Sequence, residues 1–392
     1  MNIAVINSGS SSIKFQLFCM EKKEALVHVL VEKIGEFSAS STIKYGDKKF
    51  VITSVLKNHH DALEQIISLL TEHEILKNFA SLDAIGHRVV HGGEEFSKPT
   101  LVDESVIQKI RELIPLAPLH NGANLEGILV ARKKAPFVPQ VAVFDTAFHS
   151  NMPKEAYLYA IDYKMYENHK IRRYGFHGTS HAYVLKQSAI ELKKDVDELN
   201  IITLHLGNGA SACAIENGVS VDTSMGFTPL EGLVMGSRSG DIDPAIIFYM
   251  QRELGLSVDE VDKVLNKNSG LLGICGDNDL RTILESKSEK SILALNIMIR
   301  RIKKYIGAYM ALLGRVDAIV FTGGIGENSA YIREKALENM TCGIAIDLNA
   351  NSNNEKIVST PSSNIKLLVI KSNEELEIAF QCKEKLLKLQ KK

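Results

Sequence analysis

Apolar positions alternate or run unbroken over four short stretches at the start of the chain, residues 3–6, 13–18, 25–31 and 50–55. Runs of that length and period predict strands. The period then lengthens. Ile66, Leu69, Leu70 and Leu76 share one side of a helix expected over 61–79. A strand at 84–90, helices at 104–113 and 124–134 and a strand at 141–144 follow. Consecutive strands, then strands alternating with helices, indicate a mixed sheet flanked by helices. The pattern restarts near residue 202: an apolar strand, the small-residue turn Gly207-Asn208-Gly209-Ala210 and a second strand over 211–216. This resembles 4–12 in design, with Gly207 aligned to Gly9, and suggests two related halves. The clearest helix is 290–313, where Ile292, Leu295, Ile299, Ile302, Ile306, Met310 and Leu313 fall three or four residues apart. Gly314 is its C-cap candidate. A strand over 318–321 runs straight into Thr322-Gly323-Gly324-Ile325-Gly326-Glu327-Asn328, with a helix expected over 329–340.

The chain has 392 residues, which favours two domains over one core. The division is placed at 1–150 and 151–372, with a C-terminal helix over 373–390 assigned to pack on the first. A net charge of -1 argues against nucleic acid or an anionic membrane as partner. Arg300, Arg301, Lys303 and Lys304 read as a solvated helix face, since no aromatic residues interleave with them. Five scattered cysteines, Cys19, Cys213, Cys275, Cys342 and Cys382, without a CxxC pair, fit free thiols in a reducing compartment. No basic segment followed by an unbroken apolar run opens the chain, and no run of about 18 apolar residues occurs. A soluble, cytoplasmic protein is expected.

Three glycine-rich turns carry the candidate chemistry. The loop Asn7-Ser8-Gly9-Ser10-Ser11-Ser12 can aim backbone and hydroxyl donors at one anion, with Lys14 as a cationic addition; an ordinary polar hairpin turn is the alternative. Gly207 to Ala212 matches G-x-G-x-x-A, but a strand follows where a dinucleotide fold needs a helix. The turn at 322–328 joins a buried-type strand to a helix, the setting in which a phosphate meets a helix N-terminus; a tight turn without ligand is the alternative. No Gly-Lys dipeptide exists, so there is no P-loop, and no protein-kinase signature occurs.

His177 and His181 stand at the i, i+4 spacing of zinc ligands, but no Glu follows His177 and Gly178 would lie inside the helix. Arg88 lies in an apolar strand before His91-Gly92-Gly93, and Arg238 lies in the loop Gly236-Ser237-Arg238-Ser239-Gly240-Asp241. A guanidinium beside glycines suits a carboxylate or phosphate, with an ordinary salt bridge as the plain reading. Asp145 ends a strand, where a catalytic carboxylate, a metal ligand or a helix N-cap can sit.

Together these stretches resemble the acetate kinase family from end to end. The matching segments include Asn7 to Lys14, Gly86 to Gly93, Pro118-Leu119-His120-Asn121, Val143 to His149, Arg173 to His181, His205 to Gly209, Gly236 to Asp241, Thr322 to Asn328 and Asn373-Glu374-Glu375. The resemblance implies an α/β fold of two ribonuclease H-like domains, a duplicated mixed sheet flanked by helices with an interdomain cleft that closes over the ligands. It implies reversible phosphoryl transfer between ATP and acetate, giving ADP and acetyl phosphate on the route to acetyl-CoA, with Mg2+ (or Mn2+) and a homodimer. By resemblance, Arg88 and Arg238 hold the carboxylate and the transferring phosphoryl group, His177 stabilises its charge, His120 lies near it, and Asp145 is the catalytic acid. Asn7 and Glu374 position the metal. His205, Leu206, Gly207, Asn208, Gly209, Asp279, Leu280, Arg281, Gly323, Gly324, Ile325, Gly326 and Glu327 match the nucleotide site, with Lys14. Val90, Leu119, Phe176 and Pro229 match the pocket for the acetyl methyl. The residues before Asp279-Leu280-Arg281 depart from the family pattern, which touches only loop detail around the adenosine. A propionate or butyrate kinase is the near alternative, and an ATP-gated binding module without chemistry the distant one.

Overall fold

The computed structural model describes residues 1–9, 11–118, 120–340 and 343–390. Three residues named above, Ser10, Leu119 and Cys342, lie outside the described residues. The chain forms two compact units, Met1–Phe148 with Asn373–Lys392, and His149–Ser372.

The first unit carries eight strands: β1 (Asn2–Ser8), β2 (Ser12–Cys19), β3 (Glu24–Glu32), β4 (Ala39–Tyr45), β5 (Lys48–Ser54), β6 (Ala84–Val89), β7 (Thr100–Leu101) and β8 (Gln140–Phe144). They form one sheet in the order β5-β4-β3-β2-β1-β6-β8-β7. The second unit carries β9 (Ile201–Leu206), β10 (Ala210–Glu216), β11 (Val219–Thr223), β12 (Ala318–Thr322) and β13 (Lys366–Val369), ordered β11-β10-β9-β12-β13. The inner five strands of the first sheet, β3-β2-β1-β6-β8, repeat that plan. In each sheet an antiparallel meander is followed by two strands parallel to its first. The α/β class and the duplicated mixed sheet expected from the sequence are both present.

β1 and β12 are buried almost throughout, which is why they read as unbroken apolar runs. β4 is a strand the apolar pattern did not announce. It alternates correctly, but Ser41 occupies an inward position, satisfied by donating to Gln65 Oε1 at 2.6 Å. Helix His59–Glu72 starts at the N-cap Asn58 and ends sooner than expected, because Glu74 turns left-handed at φ +55°. Beneath the first sheet, Ile66, Leu69, Leu70 and Leu76 join one core with Phe15, Val29 and Ile43. Further along the same face Phe96 stacks on Phe144 at 4.3 Å. The C-terminal helix Glu374–Gln390 packs on β1, β6 and β8 and buries Leu376, Ile378, Ala379 and Cys382. Among the described residues no helix is long and apolar enough to cross a membrane.

A second correction concerns the third glycine turn. Residues 322–328 are not a loop ahead of a helix. A short helix, Gly323–Asn328, begins inside the motif with Thr322 as N-cap, and a separate helix, Ala330–Leu337, follows. Gly323 has φ +74°, and a Cβ there would sit 2.7 Å from the Leu206 carbonyl oxygen, so only glycine lets β12 turn so close to β9.

Candidate active site

In the first unit the chemistry gathers at the ends of the parallel strands. Arg88, on β6, donates from Nε to both Asp145 oxygens at 3.0 and 3.1 Å and from Nη2 to Oδ2 at 2.6 Å. Nη1 reaches Asn7 Oδ1 at 3.3 Å, and Glu374 Oε2 lies 3.9 Å from Nε. The Asp145 side chain is 1% exposed, against 21% for Arg88 and 18% for Glu374. Burial opposes the charge on Arg88, but Asp145, Glu374 and Glu375 outweigh it and raise its pKa above the usual value. Burial pushes the Glu374 carboxyl up to about 7 despite Arg88, with Asp145 and Glu375 adding repulsion.

The loops around this cluster are held by a helix. In Asn121–Lys134, the Asn124 side chain accepts from Val90 N–H at 3.0 Å and donates to the Ser8 carbonyl at 2.6 Å. Asn121 bonds both backbone groups of His91 at 3.0 Å. His59 Nε2 bonds the Gly9 carbonyl at 2.6 Å. These asparagines were not singled out in the sequence; their signal was the polar pair placed on an apolar helix face. His120 is the N-cap residue of that helix. Lys14 faces Asn7 across the β1–β2 hairpin and, with His28, Lys44, Lys49 and Glu375, lines a groove of about 440 Å³ on the same sheet.

In the second unit the β9–β10 hairpin turns at Gly207–Gly209. A Cβ at Gly209 would lie 3.5 Å from His177 Nε2 and 3.7 Å from Arg238 Nη1, so both side chains meet at this glycine. His177 stacks on His205 at 4.3 Å and adopts φ +56°, left-handed, as N-cap of helix Gly178–Leu192. A non-glycine residue in that region is uncommon and marks an over-determined position. Arg238 Nη1 donates to the Pro229 carbonyl at 3.0 Å. It has no ion pair among the described residues, and burial pulls its pKa down.

Beside this point lies a cavity of about 610 Å³. Gly207, Asn208, Asp279, Leu280, Arg281, Gly324 and Ile325 line it, so three distant sequence segments converge. Gly236, Asn278, Leu284, Asn328 and Ser329 complete the lining and were not assigned to the site beforehand. Gly236 leaves room for the Asn208 side-chain oxygen, which a Cβ there would displace. Leu206 is buried at the end of β9. Glu327 does not line the cavity: its Oε1 accepts from Gly323 N–H and from Ser372 N–H and Oγ–H, so it braces the turn. Arg333 braces the other end. This buried cation gives five hydrogen bonds, all to neutral oxygens, including the Gly326 and Glu327 carbonyls at 2.9 and 3.1 Å, and burial lowers its pKa to about 10. Of the apolar positions, Val90 is buried in the first unit, Phe176 is buried in the second and Pro229 is half-buried there.

The zinc spacing of His177 and His181 comes to a different use. His177 Nδ1 and His181 Nε2 both meet Ser211 Oγ at 2.9 Å. No group of three or more His, Cys, Asp or Glu that could hold a metal occurs among the described residues. For a hard divalent cation, Asn7, Glu374 and the neighbouring carboxylates offer oxygen donors and an excess of negative charge over Arg88. That suits an ion held by one or two protein oxygens plus phosphate and water.

The Acetokinase family model matches residues 2–380. The chain is 62% identical to the acetate kinase of Sulfurimonas denitrificans over 382 residues, covering 97% of this chain and 98% of that one. It is 53% identical to the acetate kinase of Sulfurovum sp., covering 97% and 98%. Among solved structures, Porphyromonas gingivalis acetate kinase superposes with a TM-score of 0.93 at 42% identity, covering 98% of this chain and 99% of that one. A propionate kinase from Francisella tularensis gives 0.93 at 44% identity over the same shares. The two duplicated sheets, the paired Arg88–Asp145 cluster and the glycine-walled cavity thus sit in a chain that belongs to the acetokinase family.

Proposed function

We propose that this protein is an acetate kinase. An oxygen of acetate attacks the γ-phosphorus of ATP, the bond to the β–γ bridging oxygen breaks, and acetyl phosphate and ADP result; the reverse reaction uses the same groups. Acetate is ionised at neutral pH, so no base is needed to activate it. What the reaction needs is donors placed where charge develops.

The observation that carries the reading is Arg238: a half-buried guanidinium with no carboxylate partner among the described residues, meeting His177 at Gly209 beside the cavity. An uncompensated buried cation is costly, and a phosphoryl group is the anion it suits. Arg238 and His177 are assigned to that group, with His120 near it, and Arg88 to the substrate carboxylate. Asp145, tied to Arg88 by three contacts, fixes that guanidinium and contributes charge placement. His205, Leu206, Gly207, Asn208 and Gly209, with residues 279–281, Gly323, Gly324, Ile325 and Gly326, are assigned to the nucleotide. Glu327 acts by holding the turn, and Lys14 adds positive charge. Val90, Leu119, Phe176 and Pro229 are assigned to the acetyl methyl. Asn7 and Glu374 would hold Mg2+, with Mn2+ as a substitute; when bound it neutralises phosphate charge. A homodimer in the cytoplasm is the proposed state, on the family resemblance and the free cysteines.

The second reading is propionate as substrate, favoured by the propionate kinase likeness. One methylene carries only about 1–3 kcal/mol of discrimination. Trapping the acyl phosphate with hydroxylamine and comparing kcat/KM for acetate, propionate and butyrate decides it. Acetate is expected to lead by about tenfold or more per methylene. A lead for propionate reverses the assignment, and no acyl hydroxamate with any acid leaves an ATP-gated binding module.

A further inference from the structure

Between helix Gly178–Leu192 and the β9–β10 face lies a seam that is polar where apolar packing would be ordinary. Thr203 and His205 on β9 and Ser211 on β10 share one side of the sheet, and Ser180 and His181 meet them from the helix. Thr203, His181 and Ser211 are each 0% exposed. Their hydrogen bonds form one line: Thr203 Oγ1 to His181 Nδ1 at 2.7 Å, His181 Nε2 to Ser211 Oγ at 2.9 Å, and Ser211 Oγ to His177 Nδ1 at 2.9 Å.

We propose that Thr203, His181 and Ser211 are positioning residues that set the tautomer of His177, keeping its ring hydrogen on Nε2. Burial, with His149 and His205 nearby, holds the His181 pKa well below its usual value, so that ring is neutral and carries one N–H. Among the described residues the Thr203 hydroxyl hydrogen has one acceptor, His181 Nδ1. Thr203 therefore donates, and His181 carries its hydrogen on Nε2. That N–H is given to Ser211 Oγ, whose own hydrogen then goes to His177 Nδ1. A neutral His177 is left with Nε2–H, the edge that faces Gly209 and Arg238. The opposite polarity keeps the same three bonds but strands the Thr203 hydrogen in a dry site, a loss of the kind native interiors avoid.

The inference rests on the proposed function in one respect: Nε2–H is useful because the phosphoryl group is assigned to that edge. The seam then supplies a fixed neutral donor beside a fixed cation, aligned before substrate arrives. The i, i+4 histidine pair has its explanation here: His181 orients, and His177 donates.

The test reads the tautomer directly. In protein labelled with 15N-histidine, long-range 1H–15N correlation, assigned with a His177→Gln variant, should show His177 with a protonated Nε2 and a bare Nδ1. Thr203→Val, which keeps shape and removes the donor, should shift His177 toward the other tautomer. It should also lower kcat about tenfold or more, with KM for acetate and ATP within about twofold. Thr203→Ser should restore both readouts. A wild-type His177 protonated on Nδ1 and bare on Nε2 overturns the inference without any variant. So does a Thr203→Val spectrum identical to wild type; if that variant fails to fold, Ser211→Ala is read by the same two criteria. A tautomer that moves while turnover stays unchanged upholds the seam and refutes instead the part given to His177 in the reaction.

Discussion

Each duplicated unit brings one arginine to its site, Arg88 on β6 of the first and Arg238 in the segment after β11 of the second, and their surroundings are opposite. Arg88 is held by Asp145 and flanked by Glu374 and Asn7, so its charge is balanced before any ligand arrives. Arg238 is half-buried against a backbone carbonyl, a thioether and glycine, with no counter-charge among the described residues. One sheet plan therefore serves two electrostatic designs. In the first unit, carboxylates fix a guanidinium and leave a surplus of negative charge that suits a divalent cation. In the second, neutral hydroxyls and imidazoles orient donors, and the missing counter-charge is left for the ligand. Fold duplication copied the strands and turns; the chemistry diverged at the strand ends.

The contrast breaks most sharply on methionine variants of the two arginines. Arg88→Met and Arg238→Met should each lower kcat/KM about 10²–10⁴-fold in the hydroxamate assay. Their stabilities should part. Arg88→Met takes the guanidinium and its three contacts away from buried Asp145 and should cost roughly 3–5 kcal/mol in urea unfolding, whereas Arg238→Met removes a cation that has no ion pair among the described residues and should cost little or stabilise. Equal losses would erase the distinction between the units.

Arg333 sharpens it further, as a buried cation of the second unit whose hydrogen bonds all go to neutral oxygens. It holds the last carbonyls of helix Gly323–Asn328. Arg333→Met strands those acceptors and should cost roughly 3–4 kcal/mol. It should also raise KM for ATP well above its effect on KM for acetate. Unchanged nucleotide affinity would remove the brace from the cavity's account.

Each unit also buries a neutral histidine, His87 in the first and His181 in the second. Burial lowers the His87 pKa to about 4, against the hydrogen bond that His87 Nε2–H donates to Gln140 Oε1. Below pH 6.5 the unfolded chain therefore binds a proton that the folded chain refuses. Its contribution is fully present above 6.5 and is lost as pH falls toward 4, on the order of 3 kcal/mol in all. His87→Gln should flatten the stability curve over that window, and parallel curves would show that acid unfolding is governed elsewhere. The smallest effect belongs to Arg281, which lines the cavity but is paired with Asp279 at the surface. Arg281→Ala should leave the urea unfolding midpoint unmoved and change ADP affinity only a few-fold in calorimetry.

The linear chain determined a good deal. Strand and helix periods, the three glycine turns, the repeat of the hairpin and the nine matching segments were all legible, because backbone conformation and face burial are written in local spacing. Helix ends were less legible. Glu74 turns left-handed while residues 74–76 bond back to Leu70 and Thr71, with no glycine to announce it, and the helix that starts within Gly323-Gly324 depends on close approach of β12 to β9. What only the tertiary structure decided is partnership. Nothing local says that Asp145 balances Arg88 while no carboxylate balances Arg238, that Glu327 braces a turn, or that His177 and His181 share a serine instead of a metal. Hydrogen bonds and counter-charges between residues dozens of positions apart exist only once the sheet brings them together, and in a buried site each donor or acceptor left over must then find its partner or a ligand.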